Sequence, residues 1–555
     1  MVDEAVWHRH YTKSAKARLE GADGTMLDVF RSAVALAGDR PAIQYFDTTL
    51  SYADLDRLSD GLAAALIADG FAPGDRLALM LQNMPQFVIA MLAAWKAGGM
   101  AVTINPMNRE REVEGILADA TPHSVVVLDA LVPIVRAAAD ALDAVAPRLI
   151  VVGADRMQAR NDRRVIPQPA PDVSADTFDA LAETPVGPGG LPGVSDADAV
   201  ALLVYTSGTT GKPKGAMLTH RNLATNARII MHWYDLDKEP GAVLAMAPFF
   251  HVTGLVGHIA VAIAARLPLV LTWRFEPGVV LDAIAEYRPG FTIGAMTAYV
   301  ALTNVPGVTR DHFASFHTIV SGGAAVPPAL VASFKELTGL YMHNGYGLTE
   351  TSAGVIAVPA GREAPVDPAS GTLAVGVPVS ETHAWIADDD GHPVAIGEIG
   401  EIVISGPTVA SGYWQRPEES AEAMRADGFR TGDIGFVDAQ GWVYVVDRKK
   451  DMINAAGYKV WPREVEDVLY GHPAIREAAV VGVVDAYRGE TVRAVVSLRD
   501  GQALDGAAMQ AWCRDRLAAY KLPREMLIVG ELPKTPSGKI LRKDLRGDIV
   551  GAVRA

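Results

Sequence analysis

Apolar positions recur along the first two-thirds of the chain with two different periods. Leu55, Leu58, Leu62, Ala65 and Leu66 fall on one stripe of a helix predicted over Tyr52–Asp69, and a second helix is predicted over Pro85–Ala97. Short β-branched runs lie between such helices, at Arg76–Met80, Met100–Ile104, Ser124–Leu128 and Leu149–Val152. This alternation predicts parallel α/β layers. Two longer apolar stretches, Phe87–Ile104 and Val256–Trp273, are interrupted by Lys96, Gly98 and Gly99 in one and by His258, Arg266 and Pro268 in the other. Each reads as a buried helix running into a strand, not as a membrane span. Pro167–Asp198, rich in Pro, Gly and Asp, reads as a long surface connection into an apolar strand, Ala199–Tyr205.

The pattern changes after Asp447. A helix is predicted over Glu464–Tyr470, strands over Ala478–Val484 and Val492–Leu498, and a helix over Ala507–Leu517, followed by a Pro/Gly/Lys-rich tail. The fold class expected is α/β: a large N-terminal domain of layered α/β subdomains, residues 1–449, and a small mobile α+β C-terminal domain, residues 450–555. The charged run 447–451 between them reads as a solvated loop or, more sharply, as a hinge.

Composition narrows the function classes. With 50% hydrophobic and 21% charged residues the chain is ordinary globular protein, which excludes disorder as its main state. Its formal charge of −15 has the wrong sign for a protein whose main task is gripping nucleic acid. One cysteine, Cys513, excludes an in-chain disulfide framework and a Cys-built zinc site, and fits a reducing cytoplasm. The polar N-terminus lacks the apolar core of a signal peptide, so a cytoplasmic protein with no transmembrane segment is expected.

The strongest chemical signal is Tyr205-Thr206-Ser207-Gly208-Thr209-Thr210-Gly211-Lys212-Pro213-Lys214-Gly215. Glycines permit tight turns whose N–H groups converge on phosphate oxygens, and hydroxyls and lysines add donors and positive charge. The spacing of the common P-loop fails, because Pro213 follows Lys212 where that pattern needs Ser or Thr. The loop follows an apolar strand and precedes a helix beginning near Thr219.

These eleven residues resemble the signature of the adenylate-forming superfamily, which includes acyl-CoA synthetases, peptide-synthetase adenylation domains and firefly luciferases. Further motifs of that family follow in order: Pro248–Gly254 with its His251, Ser321-Gly322-Gly323-Ala324, Tyr346-Gly347-Leu348-Thr349-Glu350, Thr431-Gly432-Asp433, Asp447-Arg448, Gly457-Tyr458-Lys459 and Pro533–Lys539. The resemblance runs from about Asp28 to Arg546, and the segment 447–453 looks most like bacterial fatty-acid–CoA ligases.

The resemblance implies a reaction in which a carboxylate attacks the α-phosphate of ATP, expels pyrophosphate, and passes as an acyl-adenylate to the thiol of CoA. It assigns Thr206, Ser207, Gly208, Thr209, Thr210, Gly211 and Lys214 to the β- and γ-phosphates. Gly323, Ala324, Asn344, Gly345 and Tyr346 are assigned to the adenine, and Asp433 and Arg448 to the ribose. Thr349 would meet the α-phosphate, Glu350 would hold Mg²⁺, and His251 would gate the acyl pocket. Lys539 would bridge the two anions. Lys450 occupies the hinge position, and Gly457 and Lys459 border the thiol channel. His123, His220, His258 and Cys513 read as structural. Self-association into a homodimer is left open.

The acyl pocket is read from few positions. No Asp or Glu lies in Phe249–His258 to meet an ammonium, so amino acids are not expected. Acetate-specific relatives carry Trp where this chain has Gly347, which implies a longer open tunnel. The reading is a medium- to long-chain fatty-acid–CoA ligase. The alternatives are an aryl or other carboxylate–CoA ligase, or an adenylating enzyme that loads a separate carrier protein.

Overall fold

The computed structural model describes residues 4–16, 24–142, 145–168, 178–206, 213–238, 241–324, 326–448, 451–455, 458–485, 489–535, 539–547, 549 and 551–554. Two large sheets form the body of the chain. The first has six strands in the order Arg148–Val152, Ser124–Leu128, Arg76–Met80, Met100–Thr103, Val200–Thr206, Lys214–Thr219. Its pairs are parallel except the last, Val200–Thr206 against Lys214–Thr219. The second has nine strands, with a parallel centre from Pro41–Tyr45 to Met342–Leu348 and antiparallel edges. The expected α/β layers are therefore present.

Helices Tyr52–Ala68, Pro85–Lys96 and His220–Trp233 share one hydrophobic core with strands of both sheets. Helix Tyr52–Ala68 starts where Ser51 Oγ accepts the Asp54 amide (3.1 Å) and Asp54 accepts the Ser51 amide (2.9 Å), a reciprocal cap. Every residue of Pro85–Lys96 is buried, as a helix enclosed on both faces requires. Lys96 ends that helix with its ammonium 2.6 Å from both Asp56 and Asp60, which offsets the cost of burying the charge.

The stretch 167–198 departs from a purely surface connection. It contains the helix Phe178–Ala182, with both end residues buried. Ala182 O lies so close to Gly61 that a Cβ there would stand 2.0 Å away, so the central helix carries glycine where this segment crosses it.

A third sheet is antiparallel throughout and was not resolved as a separate layer by periodicity. It comprises His383–Ala387, Gly400–Ser405, Met424–Arg425, Gly428–Val437 and Val443–Arg448. Beyond it, six strands between Ile453 and Arg554 form the small domain's sheet, flanked by helices Pro462–Tyr470 and Gly506–Arg514. Among the described residues no helix is long and apolar enough to cross a membrane.

Burial of histidines makes stability pH-dependent. Desolvation pushes His220 and His343 down to about 4 and His258 to about 3. Each is neutral in the fold, whereas an unfolded histidine protonates below about pH 6.5. The unfolded chain then binds more protons, so stability holds above that pH and is lost as pH falls toward 4, by up to about 1.4 kcal/mol per pH unit for each group. Calorimetry from pH 7 to pH 5 is expected to show a falling melting temperature with more than one proton taken up on unfolding.

Candidate active site

The site lies at the carboxyl ends of the parallel strands, where open α/β sheets leave a crevice. Strand Val200–Thr206 delivers Thr206 to it, and Lys214 begins the return strand directly opposite, with Thr206 Oγ1 3.4 Å from Lys214 O. These antiparallel strands flank the glycine-rich segment. Six residues of strand separate it from helix His220–Trp233, which begins where the sequence places it, capped by Thr219. Ser207, Gly208, Thr209, Thr210 and Gly211 lie outside the described residues.

In the nine-stranded sheet, Thr318–Ser321 ends in Gly322-Gly323, and Gly323 adopts φ +81, open only to glycine at low cost. Gly323 and Ala324 are exposed. The neighbouring strand Met342–Leu348 changes partners midway. Met342–Asn344 pairs in parallel with Ile319–Ser321, whereas Gly345–Leu348 pairs antiparallel with Ala353–Ala357. Asn344, buried at the change, donates to Ala374 O (3.4 Å). Gly345 and Tyr346 follow beside the Gly322 turn.

Tyr346 and the third sheet meet at the next position. The Tyr346 hydroxyl donates to Asp433 (2.7 Å), and Arg448 Nε lies 3.1 Å from the other Asp433 oxygen. Asp433 and Arg448 are register partners on adjacent strands, which fixes their approach. Burial, and then the Asp433 charge, holds the Tyr346 phenol well above its ordinary value, so it remains a donor.

Thr349 and Glu350 occupy a 3₁₀ turn at the end of the same strand. Glu350 is buried, and one of its oxygens accepts from the Tyr413 hydroxyl (2.8 Å). The Tyr413 ring lies beneath Lys214 Nζ, 5.2 Å from its centroid. Tyr413 therefore ties Lys214 to the carboxylate. Its segment is itself pinned to the strand after the glycine-rich segment, with Met217 N donating to Gly412 O and Trp414 N to Gly215 O (2.9 and 2.8 Å). Asp119 adds a further clamp, accepting from Tyr205 and from Arg416 (2.7 and 2.8 Å). Sequence reading missed Tyr413. The only signal was an aromatic beside Gly412, 63 residues from its partner.

Gly347 also has a backbone reason. A Cβ at this register irregularity would stand 1.9 Å from Ala353 O. In this chain any side chain here would require the Ala353 backbone to shift.

The small domain brings Lys539 to His251. Its backbone is not a loose tail. Thr535 N donates to Lys539 O (2.7 Å), Lys539 N to Thr535 Oγ1 (3.0 Å) and Leu541 N to Pro533 O (2.8 Å), which close a hairpin around it. The exposed Lys539 comes near enough to His251 for its charge to act on the imidazole. Burial first, and then Lys539, pushes His251 down to about 4. His251 Nδ1 accepts the Thr253 amide (3.3 Å), which leaves the proton of the neutral ring on Nε2. Lys450 and Gly457 lie outside the described residues. Lys459 stands in the strand Tyr458–Val460, paired with Ile453–Ala455.

Lys214, Tyr413 and Glu350 thus form one cluster, Tyr346, Asp433 and Arg448 form a second whose Tyr346 lies on the strand leading to Glu350, and Lys539 brings a small-domain charge to His251. Comparison with known proteins agrees with this architecture. Residues 30–414 match the family model for the AMP-binding enzyme, and residues 464–539 that for the AMP-binding enzyme C-terminal domain. The chain is 34% identical over 558 residues to a long-chain-fatty-acid–CoA ligase of Bacillus subtilis, covering 98% of each chain. It is 37% identical over 505 residues to a feruloyl-CoA synthase of an Amycolatopsis species, covering 91% of this chain and 95% of the other. Among solved structures, an anthranilate CoA ligase in complex with anthranoyl-AMP superposes with a TM-score of 0.83 at 26% identity, covering 96% and 98%. ATP-bound MatB from Rhodopseudomonas palustris gives 0.81 at 29% identity, covering 94% and 98%. The chain belongs to the AMP-binding, adenylate-forming enzyme family, among its AMP-forming acid–CoA ligases.

Proposed function

We propose that the protein activates a medium- to long-chain fatty acid as its acyl-adenylate and transfers the acyl group to CoA. The observation that carries the two-step reading is that Lys539 of the small domain lies near enough to His251 of the large one for its charge to act on the imidazole. A lysine brought in by a separate small domain can neutralise a carboxylate and an α-phosphate together, then be withdrawn to admit a thiol. Residues 1–449 and 450–555 form the two bodies, with Lys450 as the hinge and Gly457 and Lys459 beside the thiol's path. Residues 206–214 hold the β- and γ-phosphates, with Thr349 at the α-phosphate. Gly323, Ala324, Asn344, Gly345 and Tyr346 border the adenine, and Asp433 and Arg448 hold the ribose. Glu350 fits Mg²⁺: it is a carboxylate linked to Lys214 through Tyr413, which occupies one of its oxygens, and this cation commonly takes one or two carboxylates plus phosphate oxygens. When bound, the ion would offset polyphosphate charge. A cytoplasmic location fits the single, buried Cys513.

The apolar wall beyond His251 supports an alkyl tail. Gly257 faces Ile293, whose Cδ1 would lie 2.9 Å from a Cβ at 257, and the other branch of Ile293 turns toward Gly322. The similarity to the long-chain ligase over nearly the whole chain favours the same class of acid. The 37% identity to the feruloyl-CoA synthase supports the second reading, an aryl acid in the same cavity. A panel of straight-chain and aryl acids with CoA, scored by thioester formed, tests the choice. The proposal expects the highest kcat/KM among the longer alkyl acids, and a preference for cinnamate-type acids would replace it. Gly257→Leu is expected to lower kcat/KM for long alkyl acids about tenfold or more while sparing short ones.

A further inference from the structure

The contacts that hold the small domain in place converge on one carboxylate of the large domain. Strand Val443–Arg448 belongs to the third sheet, with Asp447 opposite Ile434 and Arg448 opposite Asp433. The small domain's own sheet begins at Ile453. A hinge at Lys450 therefore separates Asp447 from everything that follows it. Across this line Asp447 Oδ2 accepts from the Arg463 backbone N–H (3.0 Å), and Oδ1 lies 3.1 Å from Arg542 Nη1. Arg463 Nη1 donates to Val445 O (2.7 Å). Asp447 and Arg463 are both buried.

Arg542's other described partners lie on its own side of the hinge. Glu466 takes its Nη2 at 2.9 and 2.7 Å, and Asp451 lies 3.5 Å from Nη1. A rotation about residue 450 would carry Arg542, Glu466 and Asp451 away together. Arg542 would keep its counter-charge, and Asp447 would lose both the guanidinium and the Arg463 amide. An ion pair broken on one side only puts the cost on the group left behind.

We propose that Asp447 is a positioning residue that latches the small domain in the orientation presenting Lys539 to His251, so that its release sets how readily the enzyme turns to thioester formation. The inference rests on the two-orientation reading above. It touches neither nucleotide nor acid directly. Weakening the latch shifts the population between orientations, so it favours one half-reaction at the expense of the other.

The test compares wild type, Asp447→Asn, Arg542→Lys and Glu466→Gln in two single-turnover assays: acyl-adenylate formation without CoA, and thiolysis of supplied acyl-adenylate. Asp447→Asn removes the charge and keeps one acceptor oxygen of the two, enough for the Arg463 amide. It is expected to slow adenylation and speed thiolysis, each about fivefold or more. Arg542→Lys is expected to move both in the same opposed directions, and it carries the test if Asp447→Asn does not fold. Glu466→Gln, altered inside the small domain, is expected to show no such opposition. Parallel loss of both half-reactions, no change in either, or the opposed pattern in Glu466→Gln would overturn the latch. Wild type that fails either half-reaction would instead overturn the two-orientation reading.

Discussion

Lys539→Ala is expected to abolish acyl-adenylate formation while leaving thiolysis of supplied acyl-adenylate within a few-fold of wild type. Two anions must meet in the first step, and the only small-domain cation whose charge reaches His251 among the described groups is Lys539. Removing a preorganised charge aimed at the reacting atoms costs on the order of 10²–10³ in rate. The second step starts from an adenylate already made, in which the carboxylate charge is gone. A side chain serving only the first orientation has no task there. Lys539→Arg separates charge from shape: the planar guanidinium keeps the charge but cannot act as a compact point donor, so most of the loss should persist. Rapid-quench measurement of each half-reaction reads the outcome. Equal loss of both steps would remove the lysine from its assigned place.

Glu350→Gln should give the second largest defect, about 10²-fold in adenylation, with the Mg²⁺ concentration for half-activity displaced upward. The substitution is isosteric and can still accept from Tyr413, so the hydrogen bond of 2.8 Å survives and only the charge is lost. Tyr413→Phe gives the complementary case. It keeps Glu350's charge and the ring beneath Lys214, and removes one hydrogen bond to a charged group, roughly 1.5–3 kcal/mol. Its defect should fall below that of Glu350→Gln, and it should respond to added Mg²⁺. Titration of activity with Mg²⁺ for both variants checks this. A Glu350→Gln enzyme with unchanged Mg²⁺ dependence would contradict the metal assignment.

Much of the scaffold could be read from local pattern, because local pattern was its cause. The stripe through Leu55, Leu58 and Leu62 produced the helix Tyr52–Ala68, and the β-branched runs produced the six-stranded sheet. The ordered motifs identified the family, since its chemistry is written in residue type and spacing. What escaped was non-local. Tyr413 acquires its place from Glu350 and Lys214, which lie far from it in the chain. Asp447 meets Arg542 across 95 residues, and nothing near either predicts the pair. The buried crossing at Phe178–Ala182 was hidden in a stretch whose composition resembles a surface loop. Gly347 was read as a clue to substrate size, and its backbone also lies against Ala353 O, a second reason for glycine that only the fold reveals. A glycine's cause cannot be told from sequence when sterics and pocket shape ask for the same residue.

The central claim is that one crevice joins a carboxylate to the α-phosphate before any thiol takes part. Exchange of labelled pyrophosphate into ATP tests it most directly, measured with and without a fatty acid and without CoA. The account predicts exchange that requires the acid, needs no CoA, and is followed by release of AMP and thioester once CoA is added. Exchange that is absent until CoA is present, or hydrolysis of ATP to ADP and phosphate in its place, would contradict it.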